Sequence, residues 1–152
     1  MDASDPVTVD TVLAPVDGSV ESATASEYAV AVADRYDASV HTLYVLGRGV
    51  VRGMDAGTVD ESDIAESTQD FLEDIGQLAA DSDVQFSRSV THGFSQIQKT
   101  RHPGSAVLDA ADEIGADFIV LPRESVTDSD ADILEKAAEY VLAYASQPVL
   151  SV

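Results

Sequence analysis

Cysteine is absent from the 152-residue chain, which excludes disulfides, thiolate nucleophiles and cysteine-based zinc sites. Basic residues are scarce: Lys99 and Lys136 are the only lysines, and the chain has 8 cations against 28 carboxylates. So few basic residues leave no general surface for nucleic acid, because phosphate binding needs a basic face. Long apolar runs are missing as well. None reaches the ~18 residues that a membrane span needs. The start, Met1-Asp2-Ala3-Ser4-Asp5, lacks the basic residues that open a secretory signal. The expectation is a cytoplasmic protein that engages neither membrane nor nucleic acid. Histidine is also rare, and His41, His92 and His102 have no metal-site spacing.

Acid is plentiful. The formal net charge is −20, and aspartates outnumber glutamates by 19 to 9. The acids are spread along the chain rather than gathered in a tail, which describes a solvating surface better than a cation site. Such a surface repels itself at low salt and is tolerated where salt screens it, so a salt-loving source is expected. Apolar residues make up 45% of the chain, enough for one core in one domain over 1–152.

The pattern alternates strand and helix. Residues 11–16 read as a buried strand, followed by the turn Asp17-Gly18-Ser19 and a helix over 20–36 with Ser19 as its N-cap. That helix shows Ala25, Tyr28, Ala29, Val32 and Tyr36 at helical spacing as its inner side. A second strand spans 39–46 and leads to a glycine-punctuated loop holding Gly47, Gly49, Gly53 and Gly57. A helix over 62–80 is expected to bury Ile64, Phe71, Leu72, Ile75 and Leu78. Alternation over 84–90, with Val84, Phe86 and Val90 on one side, suits an edge strand. A polar stretch leads to a helix over 104–114, and the apolar run 117–121 reads as a central strand. A helix over 130–145, with Ile133, Leu134, Ala137, Val141 and Leu142 inward, precedes a last strand over 148–152. Strands separated by such helices imply right-handed crossovers and a parallel sheet covered on both faces.

Three stretches are similar to those of a known family. Val12-Leu13-Ala14-Pro15-Val16-Asp17-Gly18-Ser19 resembles the opening strand and turn of universal stress proteins. So do Ala106-Val107-Leu108-Asp109-Ala110-Ala111 with Gly115-Ala116-Asp117-Phe118-Ile119-Val120-Leu121, and the ending Gln147-Pro148-Val149-Leu150-Ser151-Val152. The pieces fall in the family's order and span nearly the whole chain. The resemblance implies a doubly wound α/β fold with a five-stranded parallel sheet in the order 3-2-1-4-5 and helices on both faces. It also implies a homodimer through the last strand, Pro148, Val149, Leu150, Ser151 and Val152, whose open edge would otherwise be unpaired.

ATP-binding members of that family carry Gly-x-x-Gly, nine residues, then Gly-Ser or Gly-Thr after the fourth strand. Glycine lets the backbone approach phosphates, and bare amides at the next helix start hold the charge. Matched without a gap, this chain has Pro122 and Ser125 at the first two glycines, then Glu135 and Lys136 in place of the Gly-Ser pair. Pro122 has no amide hydrogen. Ser125 adds a side chain, and Glu135 brings a carboxylate toward an anion. Asp128, Asp130 and Asp132 add more negative charge, although acids also suit a first helical turn, for which Ser129 is the expected cap. The three aspartates and Glu139 have the spacing of a calcium loop, but Ile133 stands where that loop requires glycine.

Asp17, by contrast, is kept where the family contacts the adenosine part. Open α/β sheets bind ligands at the strand ends near the reversal of strand order, which Asp17 and Pro122 are expected to flank. Asp17, Gly18, Ser19, Pro122 and Arg123 are therefore the candidate ligand residues. The alternative for Asp17-Gly18-Ser19 is a turn with a helix cap, which the chain needs in either case. Arg48, Arg52, Lys99 and Arg101, with Arg123, fall toward the same carboxyl rim and form a candidate anion rim. The competing account is that they neutralise nearby carboxylates. Arg88 lies within the third strand, and 94–102 reads as a long connection, a candidate lid or partner surface.

No nucleophile with a base beside it can be argued from residue order. The sequence points to a non-enzymatic, stress-response binding or regulatory module with no cofactor and no ATP. Its expected partners are a second copy of itself and an unidentified protein. The alternative is an adenine-nucleotide sensor or weak ATPase with altered phosphate contacts.

Overall fold

A computed structural model of the chain describes residues 6–92, 102–123 and 132–152. In chain order the elements are β1 (Thr11–Val16), α1 (Val20–Tyr36), β2 (Ser39–Leu46), α2 (Arg48–Ala56), α3 (Glu61–Asp81), β3 (Phe86–His92), α4 (Pro103–Ile114), β4 (Phe118–Leu121), α5 (Asp132–Tyr144) and β5 (Val149–Ser151). All neighbouring strand pairs are parallel, and the sheet order is β3-β2-β1-β4-β5. Parallel neighbours cannot be joined by tight hairpins, so every connection crosses over through helix.

Strand alternation sorts the core into two faces. Val12, Ala14, Val40 and Val120 point to one side, where Ala25, Ala29, Val30 and Ala33 of α1 and Ala79 of α3 cover them. Leu13, Leu43, Val45, Ile119 and Leu121 point to the other, under Val107 and Ala111 of α4 and Ala137, Ala138 and Val141 of α5. Burying each large side chain of this kind contributes about 1.5–3 kcal/mol. At the opposite end from the strand tips, the Asp117 carboxylate accepts hydrogen bonds from the amides of Asp10 and Thr11 at 3.0 and 3.1 Å and fixes the start of β1 to β4.

Several elements differ from the expectation. The glycine-rich stretch after β2 is a helix, α2, because Gly47 caps its start and Gly57, at φ 73°, closes its end. The inner side of α1 is Ser22, Ala25, Ser26, Ala29, Val30 and Ala33, while Tyr28 and Tyr36 are exposed. Small residues let α1 lie close on the sheet, and the two tyrosines stay at its outer border. On α5 the buried residues are Ala137, Ala138 and Val141, and Leu142 is exposed. Strand β3 begins two residues late: the Val84 amide closes α3 on the Ala79 carbonyl, and Asp83 takes φ 59°. Helices α4 and α5 touch at Gly104, where a Cβ would run into the Tyr140 side chain. Beside it the His102 ring caps α4, its Nδ1 accepting from the Gly104 amide at 3.0 Å, and stacks on Tyr140 at 4.5 Å.

Candidate functional site

The order of the sheet brings the ends of β1 and β4 side by side. The pairing of Val12 with Phe118 and Leu13 with Ile119, carried forward, puts Pro122 beside Val16 and Arg123 beside Asp17. The candidate residues from the two strands therefore meet on the carboxyl rim where strand order reverses, the usual ligand position in open α/β sheets.

The β1 lip is a closed network of short polar contacts. Asp17 Oδ1 accepts from the Ser19 amide at 2.9 Å. Ser19 Oγ accepts from the Ser22 amide at 3.1 Å and so caps α1. Ser22 Oγ donates to the Ser19 carbonyl at 2.9 Å and accepts from the Asp17 amide at 3.3 Å. Gly18 sits between them at φ 86°, where an ideal Cβ would lie 2.5 Å from Tyr44 Oη. Only glycine takes this position without strain. Two carboxylate oxygens at this lip, Asp17 Oδ2 and Glu21 Oε2, are buried and have no hydrogen-bond partner among the described residues.

Tyr44 is the residue that sequence reasoning missed. Its neighbour in register is Val16, so its ring lies beside the turn, and its hydroxyl donates to the Asp17 carbonyl at 3.3 Å. Burial pushes the phenol above its ordinary pKa; a hydrogen bond with Thr68 opposes this and the Asp17 charge adds to it. Tyr44 therefore stays a neutral donor at neutral pH. Phe71 holds the ring edge-on, centroids 5.8 Å apart. Nothing local marks Tyr44, since its place depends on the β1–β2 register. Ser22 carried one signal, its spacing of three from the cap Ser19.

The β4 lip is different. Pro122 is buried directly after the strand and brings no amide hydrogen. The Arg123 amide donates to the Val152 carbonyl at 2.9 Å, which extends the β4–β5 ladder, and its side chain is exposed. Glu135 and Lys136 lie inside α5, so the Lys136 amide belongs to the helix's own ladder rather than to an open helix start. Ser125, Asp128, Ser129 and Asp130 lie outside the described residues, whereas Asp132, Ile133 and Glu139 of the calcium-loop spacing stand on α5.

The rim cations are only partly placed. Arg48 and Arg52 stand on α2, which leaves the end of β2, and Arg52 is exposed. Lys99 and Arg101, with residues 94–101 of the expected long connection, lie outside the described residues. Arg123, at the end of β4, is exposed as well. The β5 residues Val149, Leu150 and Ser151 are half-buried, pair with β4 alone and leave the other side of the strand open. His41 lies away from the crevice, on β2. Its Nδ1 and Nε2 lie 2.7 and 2.8 Å from the hydroxyls of Ser87 and Ser89, a tie between β2 and β3. Among the described residues no group of three or more histidine, aspartate or glutamate side chains could hold a metal, and no helix is long and apolar enough to cross a membrane.

Comparison with known proteins agrees with this fold. A model described as the universal stress protein family matches residues 8–152. A universal stress protein of Methanocaldococcus jannaschii is 26% identical over 145 residues, covering 93% of this chain and 80% of that one. Among solved structures, a hypothetical protein whose structure was used to assign its biochemical function superposes with a TM-score of 0.75 at 18% identity, covering 96% of both chains. A universal stress protein in complex with cAMP gives 0.66 at 18% identity, over 96% of this chain and 98% of that one. One from Archaeoglobus fulgidus in complex with dAMP gives 0.63 at 18% identity, over 96% and 98%. At these identities the structural likeness is one of fold.

Proposed function

The chain belongs to the universal stress protein family, and on that premise we propose that it is a stress-response binding and regulatory module that does not hold ATP. The observation that carries this reading is Pro122, buried at the end of β4 where an amide would have to face the phosphates. Glu135 and Lys136, a turn into α5, add to it, because helix-interior amides are already engaged. The module acts by contact rather than by chemistry and is not an enzyme. Its copies pair through Pro148–Val152, which covers the open side of β5. Its acidic surface is a solvating coat suited to concentrated salt: no aspartate or glutamate is buried as a whole residue among the described residues, only single oxygens of Asp17 and Glu21, whereas four hydroxyl residues are buried.

A second reading rests on a specific observation. The Asp17 lip is intact, and Asp17 Oδ2 is buried without a partner among the described residues, so it stands ready to accept from a hydroxyl or amine. Two similar structures hold cAMP and dAMP, ligands with a single phosphate. A mononucleotide asks less of the β4 lip than ATP does, and a sensor of that kind is the alternative.

Protein purified in molar potassium chloride, acid-extracted and run on anion-exchange chromatography, tests both. An empty extract is the expected result. Stoichiometric ATP would overturn the proposal, and a monophosphate would shift it to the second reading. Sedimentation equilibrium of the native chain and of Leu150→Asp tests the pairing: a dimer that the variant converts to monomer is expected, and a monomeric native chain contradicts it.

A further inference from the structure

A groove of about 580 Å³ lies away from the crevice, between the end of β2, α2, α3 and the edge strand β3. Its size is that of a small-molecule site, for which about 300–1,000 Å³ is usual. Leu46, Met54, Ile64, Leu72 and Val90 supply apolar walls. Val90 is 52% exposed there, and an apolar wall left open to water is a recurrent mark of binding surfaces. The groove is not the crevice under another name. Thr68 lines it and lies beside Tyr44, so the two places share a partition.

Two charged residues give the groove its chemistry. Arg88 stands on β3 on the same face as Val90, two residues away, and lines the groove. In a chain with 28 carboxylates and 8 basic residues, a guanidinium could readily have been given a carboxylate. Arg88 has no ion pair among the described residues. A cation left open beside an apolar trough is complementary to an anion with an apolar body. Glu61, in the first turn of α3, also lines the groove. Its charge opposes a doubly charged phosphate and leaves room for one negative charge on the ligand.

We propose that this groove binds a small amphipathic organic anion carrying a single carboxylate or sulfonate, with the head on Arg88 and the apolar body against Leu46, Leu72 and Val90. This site is independent of nucleotide binding and stands whether or not the crevice takes one.

The test is fluorescence titration of the full chain with anilinonaphthalene sulfonate in molar potassium chloride, followed by displacement with decanoate. Saturation at one probe per chain and displacement by decanoate are expected. Arg88→Gln should weaken both ligands about fivefold or more, and Arg35→Gln, an exposed arginine in the last turn of α1, should leave them unchanged. Ala65→Trp, at an exposed helical position lining the groove, should abolish binding while circular dichroism shows the fold intact. No saturable signal, equal weakening by the two arginine variants, or a signal that survives Ala65→Trp would each overturn the proposal.

Discussion

The two lips of the crevice are built on opposite principles. The β1 lip closes on itself through Asp17, Ser19, Ser22 and Tyr44, with bonds of 2.9 to 3.3 Å around Gly18. The β4 lip offers a buried proline, an amide already used by β5 and a helix whose interior amides are engaged. A ligand that needs both lips needs donors from both. The contrast teaches that half of a binding site can persist for structural reasons, since the β1 turn and cap hold α1 to the sheet whether or not anything is bound.

That comparison can be broken most sharply at Gly18. A Cβ there adds left-handed strain and meets Tyr44 Oη, so Gly18→Ala is expected to cost about 2–4 kcal/mol. Urea unfolding in molar potassium chloride measures it. Adding Tyr44→Phe should return part of the loss, because it removes the hydroxyl but not the strain; full additivity would show that the contact does not matter. Next in size is the cap. Ser19→Ala is expected to cost about 1 kcal/mol. Asp17→Asn keeps the acceptor for the Ser19 amide and removes a charge whose Oδ2 has no partner. If Asp17 is retained for binding rather than for stability, that change should be neutral or stabilising by up to about 1 kcal/mol. A clear loss would make Asp17 a structural residue.

The smallest effect concerns the other half of the sheet and serves as a control. Burial lowers the His41 pKa below its ordinary 6.5. The unfolded chain then binds the proton more readily than the folded one, so stability is full above pH 6.5 and falls as pH drops toward the folded value. The loss is shallow because the ring is half-exposed. His41→Gln should flatten the slope between pH 7 and about pH 5 without changing the behaviour of either lip. A slope that survives the change would assign it to other groups.

Much of this architecture was legible. The apolar runs of β1 and β4 mark the centre of the sheet because strands covered on both faces carry few polar residues, and the alternation of β3 marks an edge. The Asp17-Gly18-Ser19 turn was legible because each residue has a local reason to be there. What escaped depends on distant partners. Tyr44 takes its role from register with β1, and α1 rests on serine and alanine because the sheet lies close, which spacing alone does not reveal. Helix α2 escaped because Gly47 and Gly57 read as breakers when they are its caps. The missing amide hydrogen at Pro122 was legible from the residue itself and from the family pattern, whereas the engagement of the Lys136 amide within α5 needed the fold.

Isothermal titration of the purified protein with magnesium ATP in concentrated potassium chloride tests the central claim most directly. The unequal lips predict no saturable heat. Binding of one ATP per chain, lost in Asp17→Ala, would contradict the account and mean that the rim arginines supply the phosphate contacts that Pro122 cannot.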